Sequence, residues 1–224
     1  MRLRLLHLST FLAALLTCTG AMAEPPTLHW QVPLPAGQGW RIVDLREGKG
    51  VRHEEYIPRG QGVEDYRERI LIQRFKAPDM SPETYLGHIA TGLAGHCRGF
   101  TTSGLVAGVR EGLPHATRSA YCGTFNGRDY GYVIAQKVFR DDDHLFVVER
   151  EWRVPGFFVD ATGMASLNFG SSAEDEALKK DIRQAVRWLT EQVNPGGAAP
   201  MPGAAPAAVP TAPEPTLQRA RRKP

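Results

Sequence analysis

Two hairpins in direct succession constrain this chain more than any other feature. Residues 119–125 are strand-like, Asn126-Gly127 form a favoured two-residue turn, and residues 129–140 return as a second strand. Asp141-Asp142-Asp143-His144 then closes a second hairpin into residues 145–154. Three long antiparallel strands in a meander have half-buried faces, and those faces need cover.

Two amphipathic helices are predicted to supply it. Ser81 stands as an N-cap, Pro82 as the first helical residue and Glu83 in the first turn, where its charge suits the helix dipole. Tyr85, Ile89, Leu93 and Cys97 recur every four residues, flanked by Leu86, Ala90 and Ala94. That stripe places Cys97 at the C-terminal end of the helix, on its buried side. The second helix begins near Ser172, which with Asp175 resembles a capping box. Its stripe is Leu178, Ile182, Ala185, Val186, Leu189 and Val193, and Asn194-Pro195-Gly196 stops it.

Upstream, residues 40–45 and 51–57 form a hairpin across Gly48-Lys49-Gly50. Residues 66–75 read as a strand with Tyr66, Glu68, Ile70 and Ile72 on one side and Arg67, Arg69, Leu71 and Gln73 on the other. The fold class is therefore α+β. An antiparallel sheet, made of the N-terminal hairpin and the three-stranded meander, is covered by two α-helices and followed by a disordered tail.

The chain ends carry their own signals. Arg2 and Arg4 precede a mostly apolar, uncharged stretch over residues 5–16, and Ala21-Met22-Ala23 offers a cleavage site. Residues 1–23 read as a signal peptide, which makes the expected location periplasmic or secreted. The apolar run is shorter than the roughly 20 residues a bilayer span requires. Thr17 is a poor neighbour for a lipidated Cys18, so a lipoprotein is not expected. Residues 24–194 then form a single globular domain, and residues 195–224 a Pro/Ala-rich tail, disordered or partly extended. The tail ends in Arg219, Arg221, Arg222 and Lys223, a weak contact for an anionic surface. The net charge of +3 falls to −2 for residues 24–194, which leaves no broad basic footprint for nucleic acid.

With Cys18 removed, Cys97 and Cys122 remain, and export makes them a disulfide that joins the end of the first helix to a strand. Closing a loop of about 25 residues stabilises a fold by about 3.5 kcal/mol in the chain-entropy model. The rival reading is a cysteine nucleophile helped by His96 or His88. His96 follows the helix round from Cys97 and aims poorly at it, and there is no Cys-x-x-Cys.

Other chemistry is thinly supported. His53-Glu54-Glu55 lies in a strand and lacks the second histidine of HExxH, and residues 141–144 are more simply a solvated tip than a cation site. No metal and no cofactor is assigned. No nucleophile elbow, phosphate loop or dinucleotide fingerprint occurs. Arg67, Arg69, Arg74, Arg128, Arg140, Arg150 and Arg153 alternate with acids, as cross-strand pairs on an exposed sheet face do; such a face is also a candidate for an anionic ligand. The segment 155–170 is long for an idle turn and carries Phe157, Phe158, Met164, Leu167 and Phe169. These residues either cap the core or form a binding loop.

The order of pieces, a Pro/Gly turn into Trp40, a strand opening VEDYRERILIQ, a helix opening SPETYLGHI, a meander and a final helix, resembles the PsbP-like α/β/α sandwich. The resemblance covers roughly residues 32–193 and implies an accessory, assembly or binding protein without chemistry of its own. It contains no diagnostic motif, so no functional residue is carried over. The cysteine pair and the 155–170 segment stand outside it. The expected function is an exported accessory protein that docks a protein partner or ligand through its sheet face or the 155–170 loop. The alternatives are an envelope hydrolase using His88, His96 or the acidic turn, and a small-ligand carrier with an apolar cavity behind Phe157 and Phe169.

Overall fold

The computed structural model describes residues 32–37, 39–167 and 169–194. The expected signal peptide, Cys18 and the tail with its Arg/Lys cluster lie outside the described residues. Within them run β1 (Trp40–Gly48), β2 (Val51–Pro58), β3 (Glu68–Lys76), α1 (Pro82–Ala94), β4 (Cys97–Thr102) and β5 (Val106–Arg110). There follow β6 (Leu113–Phe125), β7 (Tyr130–Asp141), β8 (His144–Pro155), the short β9 (Phe158–Val159) and β10 (Ala165–Ser166), and α2 (Ala173–Glu191). The class is α+β. Eight strands form one antiparallel sheet in the order β1-β2-β3-β8-β7-β6-β4, with β5 also pairing with β6.

Turn chemistry explains the hairpins. Lys49 and Gly50 take positive φ of 52° and 76°, as do Asn126 and Gly127 at 48° and 70°. The acidic turn is tighter than its four residues suggest. Asp141 and His144 are already paired, which leaves only Asp142 and Asp143 in the loop.

Each helix takes one face of the sheet. Leu86 of α1 packs with Ala116, Val138, Leu145 and Val147. Ile182, Ala185, Trp188 and Leu189 of α2 pack with Val133, Phe139, Val148 and Trp152. Val147 and Val148 are consecutive in a strand and point to opposite faces, so the two helices lie on opposite sides. The result is three layers, α/β/α. Both predicted N-caps are present: Ser81 Oγ accepts from Thr84 N–H, and Ser172 and Asp175 make a full capping box. At the other end of α2, the buried Lys137 ammonium donates 2.8 Å hydrogen bonds to Leu189 O and Val193 O, which have few other partners at a helix terminus.

Several expectations are corrected. The sheet is larger than predicted, because β4, β5 and the first half of β6 extend it beyond the meander. Cys97 does not lie on α1. The helix stops at Ala94 with Gly95 as its cap, and Cys97 opens β4, so the four-residue spacing runs past the true end of the helix. Val186 is exposed and Trp188 is buried. The two lie at opposite margins of the apolar stripe, about 160° apart at 3.6 residues per turn, and the larger indole claims the core, its Nε1 donating to Pro33 O.

The arginine-rich face is not free either. Arg150 is 2% exposed beneath α2 and pairs with Glu68 and Asp181 at 2.5 and 2.7 Å. Arg69, partly buried on the opposite face, pairs with Glu151 at 3.0 Å. Tyr66 joins that second face, donating to Glu151 Oε1, because it precedes β3 and escapes the strand alternation.

Candidate binding surface on the β9–β10 hairpin

Within the 155–170 segment, residues 158–166 form a small hairpin. The segment leaves β8 through Gly156 N–H to Asp129 O and Phe157 N–H to Gly123 O, both 3.0 Å. Gly123 permits this approach, since a Cβ there would stand 2.6 Å from Phe157 O. Phe158 pairs with Ser166 and Val159 with Ala165. Asp160 Oδ1 closes the turn by accepting from Thr162 N–H, Thr162 Oγ1 and Met164 N–H at 2.8, 2.6 and 2.9 Å. The Thr162 hydroxyl, with the backbone donors behind it, holds the Asp160 carboxyl below its usual range.

The platform below it is β4. Gly99, at φ 76°, lies under Val159, and a Cβ on it would be 3.4 Å from Val159 Cβ. Cys97 and Cys122 are disulfide-bonded with Cα atoms 5.3 Å apart, tying β4 to β6. The staple joins strand to strand. It therefore anchors the strand that carries the hairpin.

The five side chains singled out in this segment divide into two sets. Phe169 is buried, and Phe157 and Leu167 pack partly buried against the same core. Phe158 and Met164 are 71% and 70% exposed. Phe158 lies on β9, on the side opposite Val159, and Met164 directly precedes β10. Beside the hairpin runs an open groove of about 430 Å³ lined by Tyr121, Leu167, Lys179, Ile182, Arg183 and Val186. Only Leu167 of the five lines it. The α2 residues were visible in the sequence as a helical face, but their position beside the hairpin was not.

The groups of the hydrolase alternative do not converge. His88 is exposed on α1, and His96 beyond its C-terminus lies 3.1 Å from Asn126 Oδ1. His144 pairs with Asp143 at the other end, where Ala77 N–H donates to Asp143 O just before α1. α1, 13 residues and about 20 Å long, separates His96 from His144, and His88 lies midway along it. On β1 and β2, Asp44, His53 and Glu55 form the one group among the described residues with metal-ligand spacing.

No family model matches this chain, and no curated protein matches its sequence. Among solved structures it is similar to the Ran-binding protein Mog1p of Saccharomyces cerevisiae, at 12% identity over 70% of this chain and 94% of that one, TM-score 0.39. It is similar to LpqN of Mycobacterium tuberculosis, described as involved in cell envelope biogenesis, at 15% identity over 74% and 83%, TM-score 0.40. A cyanobacterial PsbP from Synechocystis is also similar, at 9% identity over 66% and 79%, TM-score 0.38. The class that the order of elements resembles is thus represented among these structures. Likeness at this level carries no function across.

Proposed function

We propose that this is an exported accessory protein, without catalysis of its own, that binds an apolar segment of an envelope protein through the β9–β10 hairpin. The observation behind this reading is the pair Phe158 and Met164, two large apolar side chains left exposed on one short hairpin. Large exposed apolar groups on a fixed loop favour a binding surface, because their burial by a partner releases water without a large ordering cost. The adjoining groove widens the contact. Export through residues 1–23, a single domain over 24–194 and a tail whose Arg219, Arg221, Arg222 and Lys223 meet anionic surfaces weakly complete the proposal.

A photo-crosslinking amino acid at position 158 tests it in intact cells. One discrete protein adduct is expected there, absent from a control position at exposed Arg98 and lost with Met164→Ser. A lack of discrete adducts, or the same adducts at both positions, overturns the reading.

A further inference from the structure

The β1–β2 hairpin gathers a donor set that neither strand contains alone. Asp44 pairs with Glu55, and Arg46 with His53, so the four side chains share one side of the hairpin. The donor atoms of Asp44, His53 and Glu55 all lie within 4.8 Å of one another. His53 Nε2 is buried without a hydrogen-bond partner and stands 3.4 Å from Asp44 Oδ2. The other ring nitrogen, Nδ1, is 2.9 Å from Gln73 Nε2.

We propose that Asp44, His53 and Glu55 form a binding site for a divalent transition-metal ion of the zinc class. An imidazole among the donors favours such an ion over magnesium or calcium, which prefer oxygen alone. Two donors each about 2.1 Å from a tetrahedral ion stand about 3.4 Å apart, which matches the separation of His53 Nε2 and Asp44 Oδ2. Gln73 is the outer partner that orients the ring; turning its amide group over, an exchange of Oε1 and Nε2 at the same place, lets the oxygen accept from Nδ1–H and leaves the Nε2 lone pair for the ion. Three protein donors leave a further position for water.

Two arginines hold the carboxylates meanwhile. Arg69 is 3.4 Å from Glu55, and Arg46 is 2.6 Å from Asp44. Arg46 is 75% exposed and has solvent to swing into when an ion arrives. The site lies at the β1 edge of the sheet, and the β9–β10 hairpin sits on β4 at the opposite edge, so the two proposals stand independently.

Tag-free, chelator-treated full-length protein is titrated with Zn²⁺ by calorimetry and with Co²⁺ by visible absorption. Saturable binding of one ion per chain is expected. His53→Ala and Asp44→Asn each weaken it by about tenfold or more, and Arg46→Ala tightens it by freeing Asp44. Asp44→Asn keeps the side-chain size and serves even if His53→Ala fails to fold. No saturable binding of either ion, or affinity unchanged in the two ligand variants, overturns the site.

Discussion

Glu149 carries the most displaced carboxyl group on the α1 face of the sheet. It accepts a 2.7 Å hydrogen bond from Gln136, and Glu151 lies two residues along on the same side. Burial, reinforced by the charge of Glu151, pushes its pKa up from 4.5 to about 7. Between those values the folded protein keeps a proton that the unfolded chain has released. Stability from this group therefore falls as pH rises through that window. Urea denaturation at pH 5 and pH 8 should show the decline, and Glu149→Gln, close in shape to the protonated acid, should flatten it and raise stability at pH 8. A variant whose profile runs parallel to the parent's would place the titrating group elsewhere. None of this was legible in the sequence, where Glu149 read as one member of an exposed ion-pair face. A carboxyl's pKa is set by neighbours from other strands, and residue order alone does not supply them.

Among elements, the disulfide connects structure to proposed function most directly. It closes a separation of 25 residues and fastens β4, on which the hairpin rests, to β6. The double variant Cys97→Ser/Cys122→Ser should lose about 3.5 kcal/mol, read as a lower urea midpoint. Limited proteolysis with mass mapping should find new early cleavage within residues 156–168. Cleavage that stays as slow as in the oxidised protein would separate the staple from the hairpin. The pairing of these cysteines was legible, because only two remain once Cys18 is set aside. The strand that carries Cys122 was legible too, but the strand that carries Cys97 was not. Gly95 ended α1 while the four-residue spacing ran on, and β4 and β5 are short segments without a periodic stripe, the first partly buried and the second largely exposed. The caps at Ser81 and Ser172 and the turns at Lys49-Gly50 and Asn126-Gly127 were legible, since each depends on side chains within four residues of its own backbone.

At the scale of the whole molecule, Arg150 joins the sheet to α2. Its guanidinium bonds Glu68 on β3 and Asp181 on α2, and lies over the rings of Trp152 and Trp188 at 4.8 and 5.8 Å. Trp152 Nε1 donates to the same Asp181 carboxylate at 3.1 Å. Removing one member of a buried ion network leaves its partners desolvated and uncompensated, so Arg150→Met should lose about 3–5 kcal/mol. Arg150→Met/Glu68→Gln should recover part of that loss, because fewer charges stay buried. Thermal or urea unfolding measures both, and equal losses in the single and double variants would remove the proposed coupling.

By itself the sequence determined the local outcomes: where strands turn, where both helices start, which cysteines pair and that the class is α+β. The turns, helix starts and class follow from backbone preference and short-range periodicity, which act over a few residues, and the pairing follows from only two cysteines being left to pair. Only the tertiary structure decided that the helices take opposite faces, that Arg150 is buried rather than displayed, and that Phe158 and Met164 point outward while Phe169 turns in. It alone brought Asp44 to His53. These outcomes depend on strand order and register between segments as far apart as β3 and β8. The free energy that selects them comes from burial and pairing across those segments.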